Sequence, residues 1–222
     1  MINLGFWQLR RLDEKKTLNA LVTTHTAQPI VDYSGGIKDP FAAEWTRIKL
    51  TGRYDTSHTI TIINRSQDGS AGYDVAIPFI NSDGTIFLIN RGFVPLAIKM
   101  PSAPTGNLSV VGYVRKTQTR SAVGAIDSTS STNTEFQRFD LPLIAKATDT
   151  QLFSKSYVQL IKESVTANSQ WPATVSMPTL DEGPHLSYAF QWFFFSATAL
   201  TGWAFVVRRK LREPINAPIA PE

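Results

Sequence analysis

At 222 residues, with 22 Lys and Arg against 18 Asp and Glu, the chain is long enough for one substantial core and an appendage. Arg208, Arg209, Lys210 and Arg212 cluster near the C-terminus and leave the rest nearly neutral, which argues against a basic nucleic-acid groove. There is no cysteine, which excludes disulfides, thiolate metal centres and thiol catalysis, and three scattered methionines offer no soft Cu(I) site.

In chain order, MINLGFWQLRRLDEKK opens with an apolar run that Arg10 and Arg11 cut too short for a signal peptide or a full span. Good helix formers without Gly or Pro predict a short helix from about Leu9 to Val22, and residues 1–22 form the expected N-terminal helical segment. From Trp45 the texture becomes strand-like. TRIKLTGRYD and HTITIIN alternate β-branched with polar residues, and GYDVAIPFINSDGTIFLINRGFVP reads as a hairpin turning at Ser82-Asp83-Gly84. LSVVGYVRK, EFQRFD, SYVQLIK and ATVSMP add further strands, and LPLIAKA a short helix. The Ser/Thr-rich RSAVGAIDSTSSTNTE between them reads as a loop. Seven or eight strands predict a mainly β (α+β) fold over residues 23–182, an antiparallel sheet closed as a barrel or folded as a sandwich.

Ala189–Val207 then runs for 19 residues without a charge, a helix of roughly 28 Å against a hydrocarbon thickness of ~30 Å. Trp192 and Trp203 stand toward its two ends, and RRKLR closes it. Residues 183–208 are therefore expected as a transmembrane helix and 209–222 as a basic tail. Positive flanks favour the cytoplasmic side, which puts residues 1–182 outside the cytoplasm. Such export calls for an earlier span, expected upstream of Met1. A tail-anchored arrangement is the alternative.

Chemistry is sparse in the body. His25, His58 and His185 are far apart, and no phosphate loop, nucleophile elbow or metalloprotease signature appears. The carboxylates of GAIDST and DLP read as solvated loop residues.

Four blocks carry a family resemblance. LGFWQLRRLDEKK (with Trp7, Gln8 and Arg11), LTGRYD (with Gly52 and Tyr54), INRGFVP (with Asn90, Arg91 and Gly92) and GPHLSYAFQWFFF (with Gly183, Pro184 and Gln191) resemble, in order and separation, the Surfeit locus protein 1 family of cytochrome c oxidase assembly factors. Phe93 stands where the family usually has Trp. The resemblance implies a bacterial cell inner membrane protein, less readily a mitochondrial one, with two spans around an exported domain. It implies a non-enzymatic role in haem-copper oxidase assembly, with haem a, the immature core subunit, the haem a synthesis machinery and the membrane as partners, and no nucleic acid. A scaffold that binds no haem is the alternative. The family's haem-linked histidine carries over onto His185.

Pro184 suits a first helical turn and puts His185 there too, where the helix dipole disfavours positive charge and a neutral imidazole keeps a lone pair for iron. His185, Tyr188, Ala189, Trp192, Ser196 and Ala199 share roughly one helical stripe, which suggests a transient haem a platform with His185 as axial ligand and Tyr188 and Trp192 beside the ring. His185 as a polar anchor to the domain is the competing reading. Arg91 is a partner for haem propionates or, as favoured here, shapes a strand end with Asn90 and Gly92. Trp7, Gln8 and Arg11 are expected to clamp the first helix, and Gln191 and Thr198-x-x-x-Gly202 to face another helix.

Overall fold

The computed structural model describes residues 1–33, 37, 39, 41–122, 124–165 and 169–212; residues 213–222 of the expected tail lie outside these. The chain divides into a helical unit, Met1–Leu21 with the segment from Thr179 onward, and a β-rich unit, Val22–Pro178.

The strands of the β-rich unit are β1 (Val31–Asp32), β2 (Arg47–Tyr54), β3 (Ile60–Gln67), β4 (Ser70–Asn81), β5 (Ile86–Pro95), β6 (Leu108–Lys116), β7 (Glu135–Phe136) and β8 (Ser156–Glu163). They form one mixed sheet in the order β1-β2-β6-β8-β5-β4-β3-β7, and a further β2–β4 pairing closes five of them into a barrel. Most pairs are antiparallel, as expected, but β5–β8, β1–β2 and β3–β7 run parallel. Five is an odd number, so a closed ring cannot alternate direction throughout; the parallel β5–β8 pair meets that constraint.

Gly52 sits where β2 leaves β6 for β4. A Cβ there would lie 2.0 Å from the Ile80 carbonyl oxygen, so only glycine lets the strands meet and the barrel close. The β4–β5 turn is the expected one: Asp83 Oδ1 accepts from Asn81 Nδ2 and from Thr85 N, each at 2.9 Å. A second tight hairpin turns at Asp68-Gly69, both at positive φ, the geometry of a two-residue type I′ turn.

Two apolar clusters lie on opposite faces of this sheet. Ile48, Leu50, Val75, Ile77, Phe79, Phe87 and Ile89 fill the barrel, while Ile60, Ile62, Ala76, Leu88, Phe136 and Phe139 pack outside it. Helix α2 (Leu141–Thr148) covers the outer cluster through Leu141, Ile144 and Ala147, capped by Asp140 Oδ1 accepting from Leu143 N. Both faces of β4 and β5 are thereby covered, which explains their nearly unbroken apolar runs.

Some expectations need correction. EFQRFD pairs over only Glu135–Phe136, and ATVSMP makes a single bridge, Ala173 with Phe93. His58 ends the 3-10 turn Thr56–His58 ahead of β3. The carboxylates of GAIDST and DLP both have structural partners. Asp127 is buried and accepts from Arg138 Nη1 at 3.0 Å and from Gln137 N at 2.7 Å, and Asp140 is the α2 cap.

Helix α1 runs Ile2–Ala27, seven residues further toward the N-terminus than expected. Its apolar start continues the helix, and Gln28 before Pro29 ends it, because proline disfavours helical φ/ψ in the preceding residue. Helix α3 spans His185–Arg212 and is long and apolar enough to cross a membrane. Only 6% of its most apolar window is buried, unlike a soluble core helix.

Candidate functional site

Within the helical unit, α1 and α3 run antiparallel. Lys16 Nζ stands 3.6 Å from Glu182 Oε2, and Asn19 Nδ2 donates to the Asp181 carbonyl at 3.1 Å. Deeper along α3, Phe6 meets Phe193 edge-on with centroids 5.3 Å apart. A Cβ on Gly5 would sit 2.7 Å from the Phe193 ring, so glycine lets this ring pack against the α1 backbone. Ala189 and Ser196 are the buried positions of α3 and fall on the same helical face as Phe193. Ser196 spends its hydroxyl on the Trp192 carbonyl at 2.7 Å.

His185 stands at the mouth of the seam. The chain turns at Gly183 (φ 65), and Pro184 offers its carbonyl to Tyr188 N at 3.1 Å, so the helix begins at His185, which lies on the first turn as expected. Gln8, 177 positions earlier, brings Oε1 to 2.7 Å from His185 Nδ1. Gly183 lies beside the other edge of the ring, where a Cβ would make ordinary contact at 3.6 Å from His185 Nε2 and 3.5 Å from Cδ2.

The expected platform is divided by this packing. Ala189 and Ser196, the small residues beneath the rings, are buried and are not open to a macrocycle. Tyr188 is exposed, Trp192 is half-buried and meets Phe195 edge-on at 6.2 Å, and Ala199 is exposed, so these residues form an outer strip beside His185. Of Trp7, Gln8 and Arg11, Gln8 meets α3, while Trp7 is exposed and Arg11 pairs with Glu14 of its own helix at 2.6 Å. Gln191 is exposed, and Thr198 donates to the Phe194 carbonyl of its own helix at 2.9 Å.

The other motif residues build the β-rich unit. Asn90, Arg91 and Gly92 form a bulge opposite Val75 and Ala76. Asn90 Oδ1 accepts from Gly92 N at 3.0 Å. Gly92 has φ 131, and a Cβ there would come within 2.1 Å of the Ala173 carbonyl oxygen, so the bulge needs glycine. Arg91, almost fully buried, donates through Nε to Glu163 Oε1 at 2.9 Å and through Nη2 to Oε2 at 3.3 Å. Tyr54 Oη donates to the same Oε1 at 2.6 Å, and the guanidinium lies 5.4 Å from the Tyr54 ring centroid. Burial and the Glu163 charge push the Tyr54 hydroxyl pKa far up, which keeps it a donor. Arg91 is therefore held inside the fold, at the bulge with Asn90 and Gly92, with its Nη1 lacking a partner among the described residues. Sequence reasoning missed Glu163, which sits 72 positions from Arg91 in a plain strand end, and missed the Gln8–His185 pairing. His25 and His58 stand apart from this site, at the Glu44 carbonyl and at Asp55 respectively.

Comparison with known proteins bears on both units. The model of the SURF1 family matches residues 1–197. An uncharacterized SURF1-like protein of Mycobacterium tuberculosis is 25% identical over 185 residues, covering 79% of this chain and 66% of the relative. Surfeit locus protein 1 of Takifugu rubripes is 32% identical over 142 residues, covering 53% and 58%, and a SURF1-like protein of Rickettsia bellii is 26% identical over 204, covering 89% and 82%. The chain thus spans just under two thirds of the length of its mycobacterial relatives.

Proposed function

The chain belongs to the SURF1 family, generally linked to cytochrome c oxidase assembly, and from that premise we propose that it is a non-enzymatic assembly factor for haem-copper oxidase that carries haem a as cargo. Its partners are the immature core subunit and the haem a synthesis machinery. It sits in a bacterial inner membrane through α3, with the β-rich unit outside the cytoplasm; the Arg and Lys cluster at the C-terminal end of α3 supports that orientation.

The observation that carries the haem assignment is the 2.7 Å contact between Gln8 Oε1 and His185 Nδ1. An amide oxygen accepts there only when Nδ1 holds the proton, and the lone pair then resides on Nε2, the ring nitrogen that Gln8 does not touch. A ligand imidazole is commonly oriented through its other nitrogen in this way. Tyr188 and Trp192 give the adjoining strip an apolar, aromatic character suited to the face of a macrocycle, and lipid accommodates an isoprenoid tail. Haem a brings the iron and its redox capacity. The chain's own residues have to bind, orient and release it, which requires no catalytic constellation.

The test replaces the chain by its His185→Ala variant in cells that make haem a and measures haem a per oxidase core subunit in the membrane. The ratio is expected to fall toward that of cells lacking the chain. An unchanged ratio, with the variant present at normal level, would reject haem handling and leave the scaffold role.

A further inference from the structure

The outer face of the barrel holds a polar cleft that the haem reading does not use. Arg115 of β6, Gln159 of β8, Asn90 of β5, Asp74 of β4 and Arg65 of β3 line it from five neighbouring strands. Segment 174–176 is tied down beside it, with Gln67 Nε2 donating to the Thr174 carbonyl at 3.1 Å and Gln159 Nε2 to the Val175 carbonyl at 3.3 Å.

The acceptors around this cleft are largely used. Asp74 Oδ2 accepts from Asn90 Nδ2 at 3.1 Å, Gln159 Oε1 from Arg115 Nη1 at 3.0 Å, and Gln118 Oε1 from Phe139 N at 3.1 Å. The donors are not. The Arg65 side chain makes no hydrogen bond among the described residues and is held by an ion pair alone, Nε standing 3.7 Å from Asp74 Oδ2. The Tyr157 hydroxyl and the Gln118 amide nitrogen likewise have no acceptor among the described residues, although Tyr157 is buried and its ring stacks on Phe139 at 4.0 Å. Two acids face this row, Asp74 and, behind Arg115 at 3.5 Å from its Nε, Glu44. Burial raises the Asp74 pKa in spite of Arg65 and Asn90, so Asp74 opposes an incoming anion less than an exposed carboxylate would.

Size narrows the ligand. The cleft has about 200 Å³, room for roughly seven waters at ~30 Å³ each and below the ~300–1,000 Å³ of pockets for drug-sized molecules. A macrocycle does not fit. We infer that the cleft binds a small oxyanion, a carboxylate or inorganic phosphate, with the Arg65 guanidinium as its charge partner and Tyr157 and Gln118 as neutral donors.

The experiment is calorimetric titration of the full chain in detergent with inorganic phosphate and, separately, with acetate, at constant ionic strength in chloride. Saturable binding of at least one anion is expected, and the arm that responds tells phosphate from carboxylate. Arg65→Gln should weaken it at least tenfold. Tyr157→Phe, which keeps the stacked ring, should weaken it severalfold. Absence of saturable binding in both arms, or equal affinity in a folded Arg65→Gln variant, overturns the inference. Should Arg65→Gln fail to fold, undiminished binding by Tyr157→Phe overturns it as well.

Discussion

Gln8 Oε1 touches His185 Nδ1 and favours the tautomer with the proton there, which under the proposed function makes Gln8 a positioning residue. Replacing Gln8 by Leu removes that acceptor, and haem a retention by the purified chain is expected to weaken by about 10–100-fold, as for other outer-shell partners of ligand histidines. An unchanged affinity would separate Gln8 from His185 without touching the ligand role itself. The Arg91–Glu163 pair acts at the same scale but on stability. Glu163→Gln leaves a buried guanidinium without its counter-charge, and denaturant unfolding should show a loss of about 3–5 kcal/mol. Tyr54→Phe removes one hydrogen bond to a charged acceptor and should cost less, about 1.5–3 kcal/mol. Asp55 supplies a pH signature. Burial pushes its carboxyl up, but hydrogen bonds from Ser57 and His58 outweigh that and hold its pKa below 3.8. Its stabilising contribution is therefore complete above 3.8 and is lost as pH falls through the lower folded value. Asp55→Asn should accordingly flatten the acid limb of a stability–pH curve, and an unaltered limb would contradict this assignment.

Among the elements, β5 depends most on one backbone position. At Gly92 an alanine would have to adopt φ 131 and place its Cβ 2.1 Å from the Ala173 oxygen, so Gly92→Ala should destabilise the β-rich unit by about 2–3 kcal/mol in denaturant unfolding. Strands with strong local patterns were legible in the sequence: β6 matches LSVVGYVRK residue for residue, and the Ser82–Gly84 turn and α2 lie where their turn and capping chemistry put them. The Asp68-Gly69 hairpin carried the same kind of signal and was overlooked. What remained hidden was long-range. The parallel β5–β8 pair follows from ring closure rather than from either strand's residues. The reach of α1 back to Ile2 and the single bridge at Ala173 depend on partners far along the chain.

For the whole molecule, orientation is the open physical question that the charge pattern addresses. The chain has no native cysteine, so single-cysteine variants report cleanly. Ser102→Cys in the β-rich unit should react with an impermeant maleimide in intact spheroplasts, and Lys210→Cys only after permeabilisation; the reverse pattern would contradict an exported β-rich unit. The candidate site was half legible. The family blocks singled out His185, Gln8, Gly183 and Arg91, but which of them meet, Gln8 with His185 and Arg91 with Glu163, is decided by side chains 177 and 72 positions apart. The most direct test of the central claim is the absorbance and stoichiometry of haem a in the full chain purified in detergent from cells that make it. The account predicts a bound haem in the wild type, loss of it in His185→Ala and weakened retention in Gln8→Leu; His185→Ala with wild-type absorbance and stoichiometry would contradict it.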